Sequence, residues 1–307
     1  MPNKIYLSII IASYNTRDIT DICLTKLEKS VDFLKQKTGL DCEIIVVENA
    51  SSDGSAQMIK KKHPGIKLII SKINLGFAKG NNLGLKNTSN PENILLLNSD
   101  VYVNDSVLFE VISYCKSHSN ADVVGCRLNF SGGKLQPSAG FLPTPKNTLT
   151  WMLGLDKFPV AGRVSKPVHP DSEDFFFADK QVEWVMGAFM FMSRKVYNKT
   201  GGFDENFFMY MEEVEWCRRI NQAGFEIWYT PSFSVTHLDK ASSGFDLKKP
   251  LTKEIFGLKY YLQKYYPKSL WWLFPIIKTG MFLRYIGFLI SGNIEKSGIY
   301  RHIFNSL

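Results

Sequence analysis

Short apolar runs alternate with helical patterns over the first hundred residues. The runs at 7–12, 43–47, 66–70 and 94–97 have the length and composition of strands buried on both faces. Between them, apolar residues recur at helical spacing, and the first such helix has Asp18 or Thr20 as its predicted N-cap. This alternation predicts the α/β class, with a mostly parallel central sheet covered by helices on both faces.

Polar side chains directly follow three of these predicted strands. Tyr14-Asn15 follows the first strand, Glu48-Asn49 the second, and Asn98-Ser99-Asp100 the fourth. Each segment alone is also typical of an ordinary turn or helix cap. Because the carboxyl ends of parallel strands meet at one edge of a sheet, we expect the three to form one crevice. Asp100 is then well placed to hold a divalent cation.

The middle of the chain is less regular. The segment 182–192 predicts a buried strand interrupted at Gly187, where a small residue permits close approach of a ligand. The segment 157–180 contains three prolines and an aromatic run, which predicts a mobile or substrate-facing loop. A short strand is predicted over 226–230 and ends before Pro231.

A second group of acids opens a predicted helix after the Gly-Gly turn at 201–202. Glu212 and Glu213 stand among Phe207, Phe208 and other aromatic residues. The helix dipole favours acids in a first turn, which would explain them without a function. Two carboxylates that point in different directions among aromatic rings nevertheless suggest a general base. Farther on, His237 is a plausible second metal ligand beside Asp100, although a lone histidine is more often structural.

The formal net charge of +8 is concentrated at the C-terminus. Residues 240–307 contain eleven Lys and Arg against three Asp and Glu, and the remaining residues contain 26 of each sign. A basic, aromatic-rich tail predicts a polyanionic partner, either an anionic membrane surface or a nucleic acid. The bases are interleaved with large apolar residues and no nucleic-acid-binding module is recognisable, so we expect no nucleic acid partner.

The segment 270–290 is apolar and about as long as a membrane span. Pro275, Lys278 and Arg284 interrupt it, so we interpret it as amphipathic helices in the membrane interface, anchored by Trp271 and Trp272. A pair of helices packed on the protein core is the alternative interpretation. Five scattered cysteines without a CxxC pair, and no signal peptide pattern, predict reduced thiols in a cytoplasmic protein on the inner face of the membrane.

Eight elements in this order resemble the family 2 glycosyltransferases, inverting enzymes of the GT-A fold, and especially their rhamnosyltransferase-like branch. The resemblance spans about residues 5–243. Its elements are 8–15 (SIIIASYN), 46–55 (VVENASSDGS), 74–85 (NLGFAKGNNLGL), 95–103 (LLLNSDVYV), 132–140 (GGKLQPSAG), 182–194 (VEWVMGAFMFMSR), 201–225 (GGFDENFFMYMEEVEWCRRINQAGF) and His237.

The resemblance implies a role for individual residues. Glu213 would be the general base, Trp184 would lie on the acceptor side, and Asp100 and His237 would bind Mg²⁺ or Mn²⁺. The donor-binding residues would be Ala12, Tyr14, Glu48, Asp53, Asn74, Asn81, Asn98, Asp100, Gly187 and Glu212.

This chain departs from the family pattern at the site. Asn98 replaces the usual first Asp of the metal-binding motif, which removes one anionic ligand. Glu48, Glu213 and Glu215 stand where aspartates are usual, so each carboxylate keeps its charge but reaches about one bond farther.

We therefore expect a catalytic domain over 1–245, with a nucleotide-sugar-binding half at 1–105 and an acceptor-side half at 106–245. A helical, basic, amphipathic extension over 246–307 would associate with the membrane. The predicted donor is a UDP- or dTDP-linked sugar, with rhamnose among the candidates, and the predicted acceptor is a surface glycan or lipid-linked oligosaccharide. A non-catalytic nucleotide-sugar-binding scaffold at the membrane is the alternative.

Overall fold

The computed structural model describes residues 4–157, 165–238 and 248–307. Within them the strands form a ten-stranded mixed sheet and a separate two-stranded sheet. The strands are β1 (Leu7–Ser13), β2 (Cys42–Glu48), β3 (Lys67–Ile70), β4 (Asn93–Leu97), β5 (Val101–Tyr102), β6 (Val123–Asn129), β7 (Leu135–Gln136), β8 (Ala139–Gly140), β9 (Lys180–Val182), β10 (Trp184–Val185), β11 (Phe189–Ser193) and β12 (Ile227–His237).

Over the first hundred residues, helices alternate with strands as the sequence predicts. The helices are α1 (Arg17–Thr38), α2 (Ser55–Lys62), α3 (Gly76–Lys86), α4 (Val107–Ser117), α5 (Pro145–Met152), α6 (Arg194–Thr200), α7 (Glu212–Gln222), α8 (Lys248–Tyr265), α9 (Leu270–Ile290) and α10 (Ile294–Ser306). Short 3₁₀ turns are found at Leu155–Lys157, Glu173–Phe176 and Pro267–Ser269.

The chain forms two compact units. The first comprises Met1–Ala139, Asp171–Phe208 and Glu212–Gly244, and the second comprises Gly140–Pro170, Met209–Met211 and Phe245–Leu307. The first unit contains the sheet, and the second contains α5 and the C-terminal helices. The domain boundaries expected from the sequence, at residues 105 and 245, stay predictions.

The sheet runs in the order β3-β2-β1-β4-β11-β6-β12-β5, with β7 beside β6 and β9 beside β12. The first four strands are parallel, and their registers align the ends of neighbouring strands, as in the pairing of Ser13 with Glu48. Side chains of β1 alternate between the two faces. Ile9 and Ile11 pack in one core cluster with Leu24 and Leu27 of α1, whereas α3 packs closely on Ile10 through Gly84. Helices therefore cover both faces, as predicted.

Helix α1 begins differently from the prediction. Thr16 is its N-cap, and neither Asp18 nor Thr20 occupies that position. Asp18 lies in the first turn instead, where a negative charge suits the helix dipole. Thr20 is fully buried and bonded to other hydroxyl groups, so its side chain is engaged inside the protein rather than at the helix end.

The segment 182–192 is not one interrupted strand. It forms β10 and β11, separated by a turn in which Phe189 N donates to Met186 O. Only β11 lies in the large sheet, where it runs antiparallel to β4. The turn at Gly187 lets the chain leave one strand and enter the other, so the small residue marks a change of direction rather than a local bulge.

Strand β12 is longer than the sequence predicts. It does not end before Pro231 but continues through it to His237. Its parallel register with β6 shifts between Thr230 and Ser234, so the proline lies in a bulge where the ladder requires no backbone N–H. This bulge carries the strand on to the pairing of His237 with Val101 of β5.

The predicted mobile loop at 157–180 falls partly on 158–164, which lie outside the described residues. The rest is anchored at Glu173–Phe176, where Phe176 is fully buried. Its ring meets Tyr229 edge-on, with centroids 5.1 Å apart, and Tyr229 Oη donates to the Phe176 carbonyl.

The apolar segment 270–290 forms one continuous helix, α9, with Pro275 in its second turn. The prediction of several amphipathic helices is wrong, because the exposed side of α9 is also apolar. Its buried residues are Leu273, Ile277, Gly280 and Met281, and its exposed large residues are Trp271, Phe282, Leu283, Leu289 and Ile290.

Arg284 does not interrupt the exposed face of α9. Its guanidinium donates to the carbonyls of Trp151 and Met152 at 2.7 Å, at the C-terminus of α5. Burial lowers the pKa of Arg284 below its ordinary value. The charge thus satisfies carbonyl groups that a helix end leaves without partners.

We predict that Gly280→Ala destabilises the second unit by about 1–3 kcal/mol, the usual cost of overpacking. A Cβ at Gly280 would lie 2.6 Å from the Met152 carbonyl oxygen. Gly287 lies in the same helix with nothing within 4 Å of its Cβ position, so Gly287→Ala should be neutral or stabilising. Urea unfolding of both variants measures the difference, and equal stability of the two would contradict the packing described.

Candidate active site

Three polar residues meet where β4 and β12 end. Asn98 and Asp100 follow β4, and the pairing of β12 with β5 brings His237 to them. His237 Nε2 lies 3.2 Å from Asp100 Oδ1 and 3.4 Å from Asn98 Nδ2. Asp100 is 8% exposed and His237 6% exposed. The structure therefore brings together the two side chains that the sequence nominates as metal ligands, although they are far apart along the chain.

The residues present fit a divalent cation. Among the residues that the structure describes, Asn98 Oδ1 is buried without a hydrogen-bond donor. Adjacent ligands of an octahedral ion with bonds of about 2.1 Å lie about 3 Å apart, close to the distance between Asp100 Oδ1 and His237 Nε2. Within the described ranges, no three His, Cys, Asp or Glu side chains form a metal cluster. A cation here would therefore need the Asn98 amide or oxygens from a substrate to complete its shell.

Gln136 also contacts this group, and the sequence analysis gave it no role. It lies in β7, is buried, and places Oε1 3.0 Å from His237 Nδ1. A neutral Gln between Leu135 and Pro137 carries no sequence signal of chemistry. Only the pairing of β7 with β6, which neighbours β12, brings it to the imidazole.

A network of hydroxyl groups joins the ends of β1 and β4. Ser13 Oγ, Thr16 Oγ1 and Thr20 Oγ1 lie 3.0–3.2 Å from one another, and Thr16 Oγ1 lies 3.3 Å from Ser99 Oγ. The sequence analysis gave Ser13 and Thr16 no role. Their bonds connect the loop that contains Tyr14 to the loop that contains Asp100.

The loops after β1 and β2 are also joined to each other. Asn15 N donates to Ser51 Oγ and Ser52 N donates to Asn15 Oδ1, both at 2.9 Å. Tyr14, at the tip of the first loop, is exposed. The crevice predicted from three polar strand ends is therefore a connected set of loops.

Two predicted donor ligands shape this region through their own carboxylates. Glu48 is almost fully buried and Oε1 accepts from Ser51 N at 2.7 Å. Asp53 accepts from Arg17 N at 2.8 Å and from Ser55 N and Oγ. Burial opposes ionisation of Asp53, but the hydrogen bonds from Ser55 and Arg17 outweigh it and hold its pKa below the ordinary value. Both carboxylates thus pre-form the loop.

Two predicted donor-binding amides lie at the beginning of α3. Asn74 Oδ1 accepts from Gly76 N at 2.9 Å, and Asn81 Nδ2 donates to Phe77 O at 3.0 Å. A Cβ on Gly80 would lie 3.3 Å from Ala12 Cβ, so α3 approaches the end of β1 closely. Asn74, Asn81 and Ala12 therefore border one region.

Asn82, which the sequence analysis did not single out, anchors the segment after the Gly-Gly turn. Its Oδ1 accepts from Phe203 N and its Nδ2 donates to Phe203 O, both at 2.9 Å. The asparagines of α3 thus divide between its own first turn and the chain that leads to the acidic helix.

Helix α7 begins at Glu212, as the acids predict, with Glu212 buried and Glu213 half-buried. A Cβ on Gly187 would lie 3.8 Å from Glu213 Cβ and 3.1 Å from Phe77 Cζ. Trp184, only 3% exposed, lies on β10, against which α7 packs. Gly187, Glu213 and Phe77 therefore share one neighbourhood, with Trp184 nearby under the surface.

The third acid of α7 has a structural partner. Glu215 is fully buried and both its carboxylate oxygens accept from Arg219 Nε at 3.0–3.1 Å. Arg219 also donates to the carbonyls of Thr200 and Gly202. The spacing of the acids in the sequence could not show which of them has a structural role. The ion pair with Arg219 gives Glu215 such a role.

The turn before α7 is strained. Tyr210 and Met211 both have positive φ, 73° and 72°, a region that costs bulky residues of the order of 1–3 kcal/mol. Within the second unit, a Cβ on Gly257 of α8 would lie 2.9 Å from the Tyr210 carbonyl oxygen. Glycine thus lets α8 approach the turn that immediately precedes Glu212 and Glu213.

Solved glycosyltransferases share this fold. TarS 1–349 of S. aureus is similar over 98% of this chain and 91% of its own, with a TM-score of 0.53 and 15% identity. The mannosyltransferase PcManGT from Pyrobaculum calidifontis, solved with GDP-Man and Mn²⁺, is similar over 98% of this chain and 86% of its own, with a TM-score of 0.57 and 12% identity. These neighbours have the GT-A fold, which confirms the predicted fold class.

Curated relatives act in glycan synthesis. The low-salt glycan biosynthesis hexosyltransferase Agl10 of Haloferax volcanii is 31% identical over 72% of this chain, but the match spans only 63% of Agl10. The N-acetylglucosaminyl-diphospho-decaprenol L-rhamnosyltransferase of Mycobacterium tuberculosis is 24% identical over 81% of this chain and 83% of its own length. Rhamnosyltransferase WbbL of Escherichia coli is 24% identical over 75% of this chain and 82% of its own length.

Most of the motifs quoted from the sequence lie inside the range that one family profile matches. The profile described as glycosyl transferase family 2 matches residues 8–217, well over half of the chain. This range includes the strand ends, the Asn98-Ser99-Asp100 segment and the acids that open α7. The chain therefore belongs to glycosyl transferase family 2, a family of transferase enzymes, as its motifs predicted.

Proposed function

We propose that this protein is an inverting, metal-dependent glycosyltransferase that uses a nucleoside-diphosphate sugar. The observation that carries the proposal is the buried pair of Asp100 and His237, 3.2 Å apart at the carboxyl edge of the sheet. Together with Asn98, these side chains would hold Mg²⁺ or Mn²⁺. A divalent cation bound there would neutralise charge on the leaving nucleoside diphosphate as the glycosidic bond breaks.

The other site residues would bind and orient the substrates. The loops with Tyr14, Glu48 and Asp53 would surround the nucleoside, and they are already tied to one another by hydrogen bonds. Preformed loops reduce the entropy lost when a ligand binds. Glu212 would orient hydroxyl groups of the donor sugar. Gly187, which lets the Phe77 ring lie close to the backbone, would help to form the surface beneath that sugar.

Glu213 would act as the general base. Its carboxylate would take the proton of the acceptor hydroxyl while that oxygen bonds to the anomeric carbon and the bond to the diphosphate breaks. A single displacement of this kind inverts the anomeric configuration. Two other carboxylates have structural partners, since Glu215 pairs with Arg219 and Asp53 accepts three hydrogen bonds.

The relatives narrow the proposed substrates. Two of them are rhamnosyltransferases, and one is named for an acceptor on diphospho-decaprenol. We therefore favour a UDP- or dTDP-linked donor, with rhamnose as a candidate sugar, and an acceptor hydroxyl on a surface glycan or a lipid-linked oligosaccharide. The Mn²⁺ in the PcManGT structure supports a metal-dependent reaction.

The second unit would hold the enzyme on an anionic membrane from its cytoplasmic side. Trp271 and Ile290 of α9 are 79% and 82% exposed, and the uncovered side between them is apolar. The segment Pro267–Ile290 is the one described helix long and apolar enough to cross a membrane, with 22% of its most apolar window buried. Residues 248–307 contain ten Lys and Arg against Glu254 and Glu295. An apolar face on a segment with a net positive charge suits an anionic lipid surface.

We predict that Asp100→Asn abolishes metal-dependent nucleotide binding, because it removes the anionic ligand while keeping the side chain's size. Calorimetric titration of UDP, dTDP and GDP with and without Mn²⁺ should give metal-dependent binding of one nucleotide to the wild type. Glu92→Gln, at an exposed ion pair with Lys4, is the control and should bind like the wild type. Equal nucleotide affinity of the wild type with and without Mn²⁺ would contradict metal dependence.

We predict that Glu213→Gln lowers turnover by at least about 100-fold, since a neutral amide cannot take the hydroxyl proton. Nucleotide affinity should change little. Transfer from a radiolabelled nucleotide sugar, with the same Glu92→Gln control, measures the effect. Unchanged turnover in Glu213→Gln would overturn the base assignment, and nucleotide binding without any turnover by the wild type would favour the scaffold alternative.

We predict that Leu283→Glu with Ile290→Glu weakens binding to vesicles containing phosphatidylglycerol by at least about tenfold, because both changes place charge in the apolar face. Ile22→Glu, on α1 at a position about as exposed as Leu283, should not affect binding. Vesicle sedimentation measures this, and phosphatidylcholine vesicles should bind the wild type more weakly. If the double variant bound vesicles like the wild type, this face would not be the membrane-binding surface. If the wild type were a dimer and the double variant a monomer, the face would instead bind a second copy of the chain.

A further inference from the structure

Both nitrogens of the His237 imidazole have specific partners. Nε2 faces Asp100 Oδ1 at 3.2 Å, whereas Nδ1 lies 3.0 Å from Gln136 Oε1. Gln136 is 5% exposed, and its backbone is held in β7 by pairing with Leu128 of β6. The Gln136 amide is therefore a fixed contact on the side of the imidazole that faces away from Asp100.

A neutral imidazole carries one proton, and its position decides whether His237 can bind a metal. With the proton on Nδ1, the ring donates to Gln136 and Nε2 presents a lone pair beside Asp100. With the proton on Nε2, the ring donates to the Asp100 carboxylate and no lone pair faces the proposed metal. Because a carboxylate is the stronger acceptor, Asp100 alone would favour the second arrangement.

We propose that Gln136 is a positioning residue that keeps His237 in the Nδ1–H tautomer and thereby presents Nε2 as a metal ligand. The inference rests on the proposed function, since it concerns the same cation. Gln136 would touch neither the cation nor the substrate. Its Oε1 would accept the Nδ1 proton, fix the plane of the ring and oppose the attraction of Asp100 for a proton on Nε2.

The proposed role of Gln136 sets the loss of metal affinity expected when its side chain is replaced. Partners that orient a metal-bound histidine typically change metal affinity by about 10- to 100-fold when they are removed. Gln136→Leu keeps the approximate volume of the side chain but removes the acceptor. Gln136→Glu keeps an acceptor oxygen at the same reach, so it should restore what Gln136→Leu loses. A purely structural role would not separate the two variants in this way.

The first test is Mn²⁺ affinity, measured by electron paramagnetic resonance of the free ion in the presence of the nucleoside diphosphate that the wild type binds. We expect about 10- to 100-fold weaker binding for Gln136→Leu and affinity within about threefold of the wild type for Gln136→Glu. Equal Mn²⁺ affinity in the wild type and Gln136→Leu would overturn this inference alone. Absence of Mn²⁺ binding by the wild type would overturn the metal site, and this inference with it.

The second test reads the tautomer directly and needs no variant of Gln136. The chain has five histidines, so long-range ¹H–¹⁵N spectra of protein labelled on histidine can resolve His237, assigned by its loss in His237→Gln. We expect the proton on Nδ1 in the wild type without a divalent cation, a condition chosen because a cation on Nε2 would itself leave the proton on Nδ1. A proton on Nε2 in the wild type would overturn the proposal, even if Gln136→Leu failed to fold.

Discussion

The site depends on one long strand. Asp100 and His237 lie far apart in the first unit's sequence, and only the continuation of β12 past Pro231 brings His237 to Asp100. The bulge between Thr230 and Ser234 makes that continuation possible, because proline cannot donate to the ladder of a regular strand. A strand that ended at Thr230 would leave Asp100 without an imidazole partner and Gln136 without its contact to His237.

Around this pair, hydrogen bonds made by polar side chains hold the loops in position. The ends of β1 and β4 are joined through Thr16 and Ser99, and the loops after β1 and β2 through Asn15, Ser51 and Ser52. The entropy cost of these bonds is met on folding, so the loops are held in place without a ligand. Among the residues described, Asn98 Oδ1 is a buried acceptor without a hydrogen-bond donor.

The second unit has two features that the sheet lacks. Its helix α9 leaves an apolar face uncovered, and its helix α8 approaches the strained turn at Tyr210 and Met211 through Gly257. That turn leads directly into the helix with Glu213. The unit that would contact lipid therefore also contains the residues that precede the proposed base.

The sequence by itself determined the α/β class, the buried strands, the start of the acidic helix at Glu212 and the family, because each of these depends on local patterns of apolar and polar residues. It could not determine that β12 passes through Pro231, that Glu215 pairs with Arg219 or that Arg284 turns inward to α5. Gln136 lies in one of the segments that resemble the family, but nothing in the sequence assigned it a role of its own, since an amide acquires a role only through what it contacts. These features were decided by the tertiary structure, which sets contacts between residues distant in the chain.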